Sequence, residues 1–232
     1  MKRQLLIPAA GIGARLGAAC PKALVPLAGR PLIEYALSRF ERMGLVDRCV
    51  IVVTPRYEKE FRTAVSAAFP GASFTLVPGG QERQDSVRRG LAALEADTDL
   101  VIIHDAARPF VPVEAVEAAC EVARGCGAAT VALPCADTIL EGDTEEYLHA
   151  TPDRARLWAC QTPQVFQTSV IRGAHEAALR QGIEATDDAT LVCRAGGRVK
   201  LVRGTPMNLK ITRPEDLRIA EALIGRESTC IG

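Results

Sequence analysis

The sequence predicts an α/β fold, a mostly parallel sheet covered by helices on both faces. Three observations carry this. Short aliphatic runs without polar alternation recur along the chain, amphipathic stretches at helical spacing separate them, and the 232 residues are 48% hydrophobic but only 4% aromatic. A strand buried on both faces reads as an unbroken aliphatic run, and its parallel neighbour needs a helical crossover. The length fits one large domain, or one with a modest insertion, and suffices for a core without disulfides or structural metal.

Taken in order, residues 5–7 read as a strand, followed by a loop of small residues. Pro31 opens a helix whose apolar positions Ile33, Ala36, Leu37 and Phe40 repeat at helical spacing. Residues 49–53 form a second strand, closed by Thr54-Pro55, and the next helix carries Phe61, Val65 and Ala68. Residues 74–77 are a third strand ending in Pro78-Gly79-Gly80, and Val87, Leu91 and Leu94 mark another helix. Residues 100–103 are a strand of the fully buried type. A helix over 114–124, a strand over 129–133 and a helix over 169–180 continue the alternation. Residues 199–202 and 209–212 read as strands before a closing helix over 214–224. The charged segment 141–156 breaks the rhythm, and is either a solvated loop or an arm that reaches a partner subunit.

Lys plus Arg and Asp plus Glu both number 28, so no global basic field exists to hold nucleic acid or an anionic membrane. No apolar run approaches a membrane span, and the run over 4–7 is too short for the core of a secretion signal. Eight cysteines lie scattered without a C-x-x-C pair, beside three histidines, which argues against a zinc site and a disulfide framework. Reduced thiols in a cytoplasmic protein are the expectation. Any anionic ligand is then held by a local arrangement, which in an open parallel sheet lies beyond the carboxyl ends of the strands. Arg15, Gly80 and Asp105 follow the first, third and fourth strands.

The loop after the first strand reads PAAGIGARLGAACPK. Little side-chain bulk at Ala9, Ala10, Gly11 and Gly13 lets backbone N–H groups approach a phosphate chain. Arg15 offers a planar fork and Lys22 a compact point charge, which suits the charge spread over an attacked phosphorus. The loop lacks the third glycine of a dinucleotide fingerprint, and no Gly-Lys-Ser/Thr makes it a P-loop. Alone, it has a second, less favoured reading, a tight turn with two solvated cations. Gly79-Gly80-x-x-Arg83-x-x-Ser86 exposes backbone groups and adds a hydroxyl, suited to a pyrimidine edge, while Asp85 or Ser86 also reads as a helix cap. Asp105 ends a buried strand, where a carboxylate holds a divalent cation or a hydroxyl, or pairs with Arg108. His104 reads as a hydrogen-bonded packing residue. Lys210 needs an anionic partner, either a ligand or a core carboxylate.

The pattern PAAGxGxR, followed by Pro21-Lys22 and Leu27-x-Gly29-x-Pro31-Leu32, resembles the signature loop of the sugar-phosphate nucleotidyltransferases. GGQERQDSVRRGL, HDAARPF, Asp137-Thr138, QTPQVF, TDDA and NLKITRPEDL then follow in the order and spacing of one branch. That branch is the cytidylyltransferases acting on 2-C-methyl-D-erythritol 4-phosphate in non-mevalonate isoprenoid synthesis, and the resemblance spans essentially the whole chain. It implies a Rossmann-like three-layer nucleotidyltransferase fold, one domain over 1–232, with a protruding β-arm for dimerisation over 135–157. It implies transfer of CMP from CTP to the polyol phosphate, with Mg2+ or another divalent cation, in a cytoplasmic homodimer that binds neither nucleic acid nor membrane.

By the same resemblance, Arg15 and Lys22 stabilise the attacked phosphorus, and Arg154 and Lys210 orient the attacking phosphate. Pro8, Ala9, Ala10, Gly11, Gly13, Gly80, Arg83, Ser86 and Asp105 form the CTP site. Asp105, Arg108, Thr138, Arg154, Thr162 and Lys210 form the polyol-phosphate site, which the arm of the other subunit completes. Asp105 and Asn208 are the implied metal ligands. Met207 stands where the family often has an acidic residue, so no ligand is expected from it. An enzyme for another alditol phosphate, such as ribitol phosphate, would share the CTP half. A non-catalytic nucleotide-binding relative would be expected to lack Arg15 or Lys22, and both are present.

Overall fold

Aliphatic alternation sets the core. In strand β1 (Arg3–Pro8), Leu5 and Ile7 pack on one face and Leu6 on the other, all three fully enclosed. The computed structural model describes residues 1–70 and 73–229, and the side chains of Arg15 and of residues 226–229 lie outside that description, as does Cys230. After β1 a loop leads to two short paired strands, β2 (Pro26–Leu27) and β3 (Arg30–Pro31). Helix α1 (Leu32–Met43) precedes β4 (Arg48–Val53), α2 (Glu58–Ala68) precedes β5 (Ser73–Pro78), and α3 (Arg83–Ala92) precedes β6 (Leu100–Ile103). Helix α4 (Val113–Cys126) leads into β7 (Ala128–Pro134). The chain then forms a small hairpin, β8 (Glu141–Gly142) with β9 (Leu148–Ala150), and returns as the long strand β10 (Trp158–Gln167). Helices α5 (Thr168–Gln181) and α6 (Asp188–Arg194), strand β11 (Lys200–Arg203) and helix α7 (Pro214–Thr229) complete the order.

The main sheet has the order β11-β7-β10-β6-β1-β4-β5, and β10 alone runs against its neighbours. Helices α1, α2 and α4 cover one face through Ile33, Phe40, Phe61 and Val116. Helices α3, α5 and α6 cover the other through Val87, Leu91, Ile171 and Leu191. The expected mostly parallel, doubly covered sheet is therefore present. Among the described residues no helix is long and apolar enough to cross a membrane. Residues 136–149 are exposed throughout, with Tyr147 and Leu148 bare to solvent.

One expected strand is absent, and strand β10 and helix α6 were not expected. Residues 209–212 are not a strand, because both edges of the nearby β6 are taken by β1 and β10. Their alternation serves a third cluster instead, where Ile211 packs with Phe110, Leu27 and Ala220. Strand β10 carries WACQTPQVFQ, whose polar residues Gln161, Thr162 and Gln164 are buried and hydrogen-bonded, so its sequence does not look like a core strand. Helix α6 spans seven residues, too few for a helical period to show.

Phe40 joins this packing to the site. It is fully enclosed, and its ring meets the His104 ring edge-on at a centroid distance of 5.2 Å. Phe40→Ala is expected to lower the free energy of unfolding by about 3–5 kcal/mol in urea titration. A loss below about 1 kcal/mol would show that neighbouring side chains refill the space.

Candidate active site

Strands β1, β5 and β6 are parallel and end at one edge of the sheet, where their loops wall a cleft of about 280 Å3. The first loop folds back on itself. Gly17 takes φ +66°, a left-handed turn that a side chain would strain. The Lys22 N–H donates to the Gly11 carbonyl at 3.0 Å, which places Lys22 in the cleft wall with Pro8, Ala9, Ala10 and Gly11. A Cβ at Gly11 would meet open space. Gly13 is different. It is buried, a Cβ there would lie 3.4 Å from both Ala18 and Lys22, and it does not line the cleft. Its role is to shape the loop. Arg15 sits in a single 3-10 turn, and its side chain lies outside the described residues.

The opposite wall is Gly80, Arg83 and Ser86. Ser86 lies inside α3, whose first turn has no side-chain cap, and Asp85 is paired with Arg88 and Arg89. The capping reading of both residues is thus replaced. The Ser86 hydroxyl accepts from the Gly80 N–H at 3.0 Å and folds the diglycine turn onto the helix. A Cβ at Gly79 would overlap the Ala10 methyl, so glycine lets the two loops close on each other.

Asp105 forms the floor. Lys210 Nζ stands 2.7 Å from Asp105 Oδ2, and Arg83 Nη2 stands 3.8 Å from Oδ1. Burial alone would raise the Asp105 pKa, but Lys210 and Arg83 hold it well below the usual carboxylate range. Arg108 is not its ion-pair partner. That guanidinium is buried, donating to the carbonyls of Asn208 at 2.7 Å and Cys160 at 3.2 Å, and it is absent from the cleft wall.

Behind Asp105 runs a chain of hydrogen bonds with a fixed direction. The Asp105 N–H donates to Thr162 Oγ1 at 3.1 Å, and the Thr162 O–H donates to His104 Nδ1 at 3.1 Å. His104 Nε2–H donates to the Arg108 carbonyl at 3.0 Å, and this acceptor fixes the tautomer. Thr162 therefore supports the cleft from outside it. Asn208 was implied as a metal ligand, and its Oδ1 is buried without a hydrogen-bond partner among the described residues. It is fully enclosed, and its Nδ2 donates to Gln161 Oε1 at 3.1 Å and to the Thr162 carbonyl at 2.8 Å. Thr138 and Arg154 lie apart from the cleft on exposed backbone, where Arg154 Nη1 donates to the Ala136 carbonyl at 2.8 Å.

Sequence reasoning assigned no role to Asp188 and His175. Asp188 Oδ2 holds Arg83 Nη1 at 2.8 Å, and its Oδ1 accepts from His175 Nε2 at 3.1 Å. The one signal was the TDDA motif, which carried no chemistry of its own.

His104 yields a test. Burial pulls its pKa down from 6.5 to about 4. The unfolded chain binds a proton there near pH 6.5 while the folded chain does not, so this contribution to stability is lost as pH falls from 6.5 towards 4. His104→Gln is expected to flatten the fall in unfolding free energy across that window, by up to about 1.4 kcal/mol per pH unit. Denaturant titrations at several pH values read this directly, and equal slopes in both proteins would contradict it.

The chain that forms this cleft has well-matched relatives. The family model described as 2-C-methyl-D-erythritol 4-phosphate cytidylyltransferase matches residues 4–226. The enzyme of that name from Syntrophotalea carbinolica is 43% identical over 229 residues, covering 97% of each chain. The one from Desulforamulus reducens is 40% identical, covering 96% of each. The crystal structure of the cytidylyltransferase of that name from Thermus thermophilus superposes with a TM-score of 0.78 at 38% identity, covering 96% of this chain and 98% of that one. The 4-diphosphocytidyl-2C-methyl-D-erythritol synthase from Anaerococcus prevotii superposes with a TM-score of 0.85 at 28% identity, covering 97% and 96%. Sequence, fold and full-length coverage agree, and the chain belongs to the 2-C-methyl-D-erythritol 4-phosphate cytidylyltransferase family.

Proposed function

We propose that this cleft is where the chain transfers CMP from CTP to 2-C-methyl-D-erythritol 4-phosphate. The supporting observation is the convergence of Lys22, Arg83 and Lys210 on one cleft with Asp105 at its floor. A phosphate oxygen of the acceptor attacks the α-phosphorus of CTP in line. The new O–P bond forms as the bond to the β-phosphate oxygen breaks, and pyrophosphate leaves with that electron pair. The attacking oxygen is already ionised, so no base is needed, and the enclosed neutral His104 serves as none. Lys22, with Arg15, offsets the charge that builds on the phosphorus and the leaving group. Lys210 stands between Asp105 and the incoming phosphate and orients it.

The small residues Pro8 to Gly11 admit the triphosphate. Ser86 accepts from Gly80, which leaves its O–H to donate to the cytosine carbonyl. The close approach of Gly79 to Ala10 narrows the pocket to a pyrimidine. Among the described residues no cluster of three metal-binding side chains exists, but Mg2+ is commonly held by one or two carboxylates plus substrate phosphates. Asp105 fits that part, and the bound cation would neutralise the triphosphate. Thr138 and Arg154, on exposed backbone, are read as reaching the site of a second copy. The working form is then a cytoplasmic homodimer.

The decisive assay is pyrophosphate release from CTP with methylerythritol phosphate and with ribitol phosphate, side by side. Release with the first alone is expected, and release with neither sinks the proposal. Lys22→Ala is expected to keep its fold by circular dichroism and to lose turnover on the order of a hundredfold. Near-normal turnover in that variant would remove Lys22 from the mechanism.

A further inference from the structure

Arg83 is a cleft residue with room to leave the cleft. It lines the 280 Å3 cleft on one side and, on the other, a groove of about 710 Å3 that His175 also lines. A flexible guanidinium between two open volumes keeps one direction only if something fixes it. Asp105 is 3.8 Å away and already bound to Lys210. Asp188 is closer, at 2.8 Å, and is itself buried and hydrogen-bonded. It is 1% exposed, and its Oδ1 accepts from the buried His175. Its backbone N–H and that of Ala189 both donate to Gln164 Oε1, at 3.1 and 3.2 Å. Gln164 is fully enclosed on β10, and its Nε2 donates to Asp187 Oδ1 and Thr130 Oγ1. A buried strand thus carries a buried, hydrogen-bonded carboxylate to the back of the arginine.

We propose that Asp188 is the positioning residue that aims Arg83 into the nucleotide cleft, with His175 and Gln164 holding Asp188 in place. The inference rests on the reading that Arg83 faces CTP. It gives the second aspartate of TDDA a role in substrate binding without contact to the substrate. It also gives the string Lys210, Asp105, Arg83 and Asp188 a common purpose, alternating charges that order one another from the cleft towards the core, with His175 hydrogen-bonded behind the last.

A double-mutant cycle on the full chain tests this, with CTP affinity measured by calorimetry. Asp188→Asn should weaken CTP binding about tenfold or more, as displacing an oriented group does. Asp188→Glu, which keeps the charge, should restore binding to within about threefold of the unmutated chain. The double variant Arg83→Met/Asp188→Asn should bind within about twofold of Arg83→Met alone, because Asp188 acts only through Arg83. Losses that multiply in the double variant overturn the inference. Should Asp188→Asn fail to fold, the comparison of Arg83→Met with the double variant still decides, since the double removes a buried charge together with its partner. An unmutated chain that does not bind CTP would overturn the reading of the cleft and this inference with it. CTP binding with multiplying losses strikes the inference alone.

Discussion

A carboxylate taken out of water must be given back what water supplied, and Asp105 shows how the structure meets that demand. On the cleft side Lys210 and Arg83 supply opposite charge. On the sheet side its N–H is tied to Thr162, and its carbonyl accepts the Arg108 N–H at 2.9 Å. Each partner is fixed in turn. The Ile211 N–H donates to the Ala107 carbonyl at 2.9 Å, which pins the segment that carries Lys210. Asp188 pins Arg83. Near a protein surface, unit charges about 4 Å apart interact by about 4 kcal/mol, so moving one member of this set obliges the others to re-sort.

Much of this fold is legible in the sequence because apolar periodicity is local. Six of the seven expected strands became strands of the main sheet, and the amphipathic stretches between them became the covering helices. The loop after β1 was legible in part, since Pro8, Ala9, Ala10, Gly11 and Lys22 do line the cleft. What escaped was long-range. Gln161, Thr162 and Gln164 look solvent-facing as letters, yet are buried because their partners come from β7, α6 and the segment before residue 209. Arg83 and Asp188 are 105 residues apart, and no local pattern links them. Residues 209–212 were misread because alternation reports burial, not pairing. Ile211 is buried against α7 and the β2–β3 hairpin without a neighbouring strand.

The same separation distinguishes two kinds among the expected site residues at the cleft, while Thr138 and Arg154 lie apart from it. Lys22, Gly80, Arg83, Ser86, Asp105 and Lys210 line the cleft itself. Thr162, Arg108, Asn208 and Gly13 stand behind it as supports, through hydrogen bonds or loop shape. Both kinds carry motif letters in the sequence, so a motif cannot tell a residue that touches a ligand from one that holds such a residue.

Net neutrality makes the ordering of cations more than a packing matter. A chain with 28 charges of each sign has no long-range field to draw in a triphosphate, so the cleft must concentrate positive charge locally. Lys22, Arg83 and Lys210 crowd one small volume, and unpaired they would repel one another. Asp105 and Asp188 offset that repulsion and hold two of the three in fixed directions. On the proposed reading, phosphate oxygens entering the cleft meet cations that a carboxylate already holds from behind. Little protein need reorganise as charge builds on the phosphorus, which is the condition under which fixed charges stabilise a transition state most. On that reading the buried acids of this site contribute to its affinity for an anion, because they let the cations stand ready.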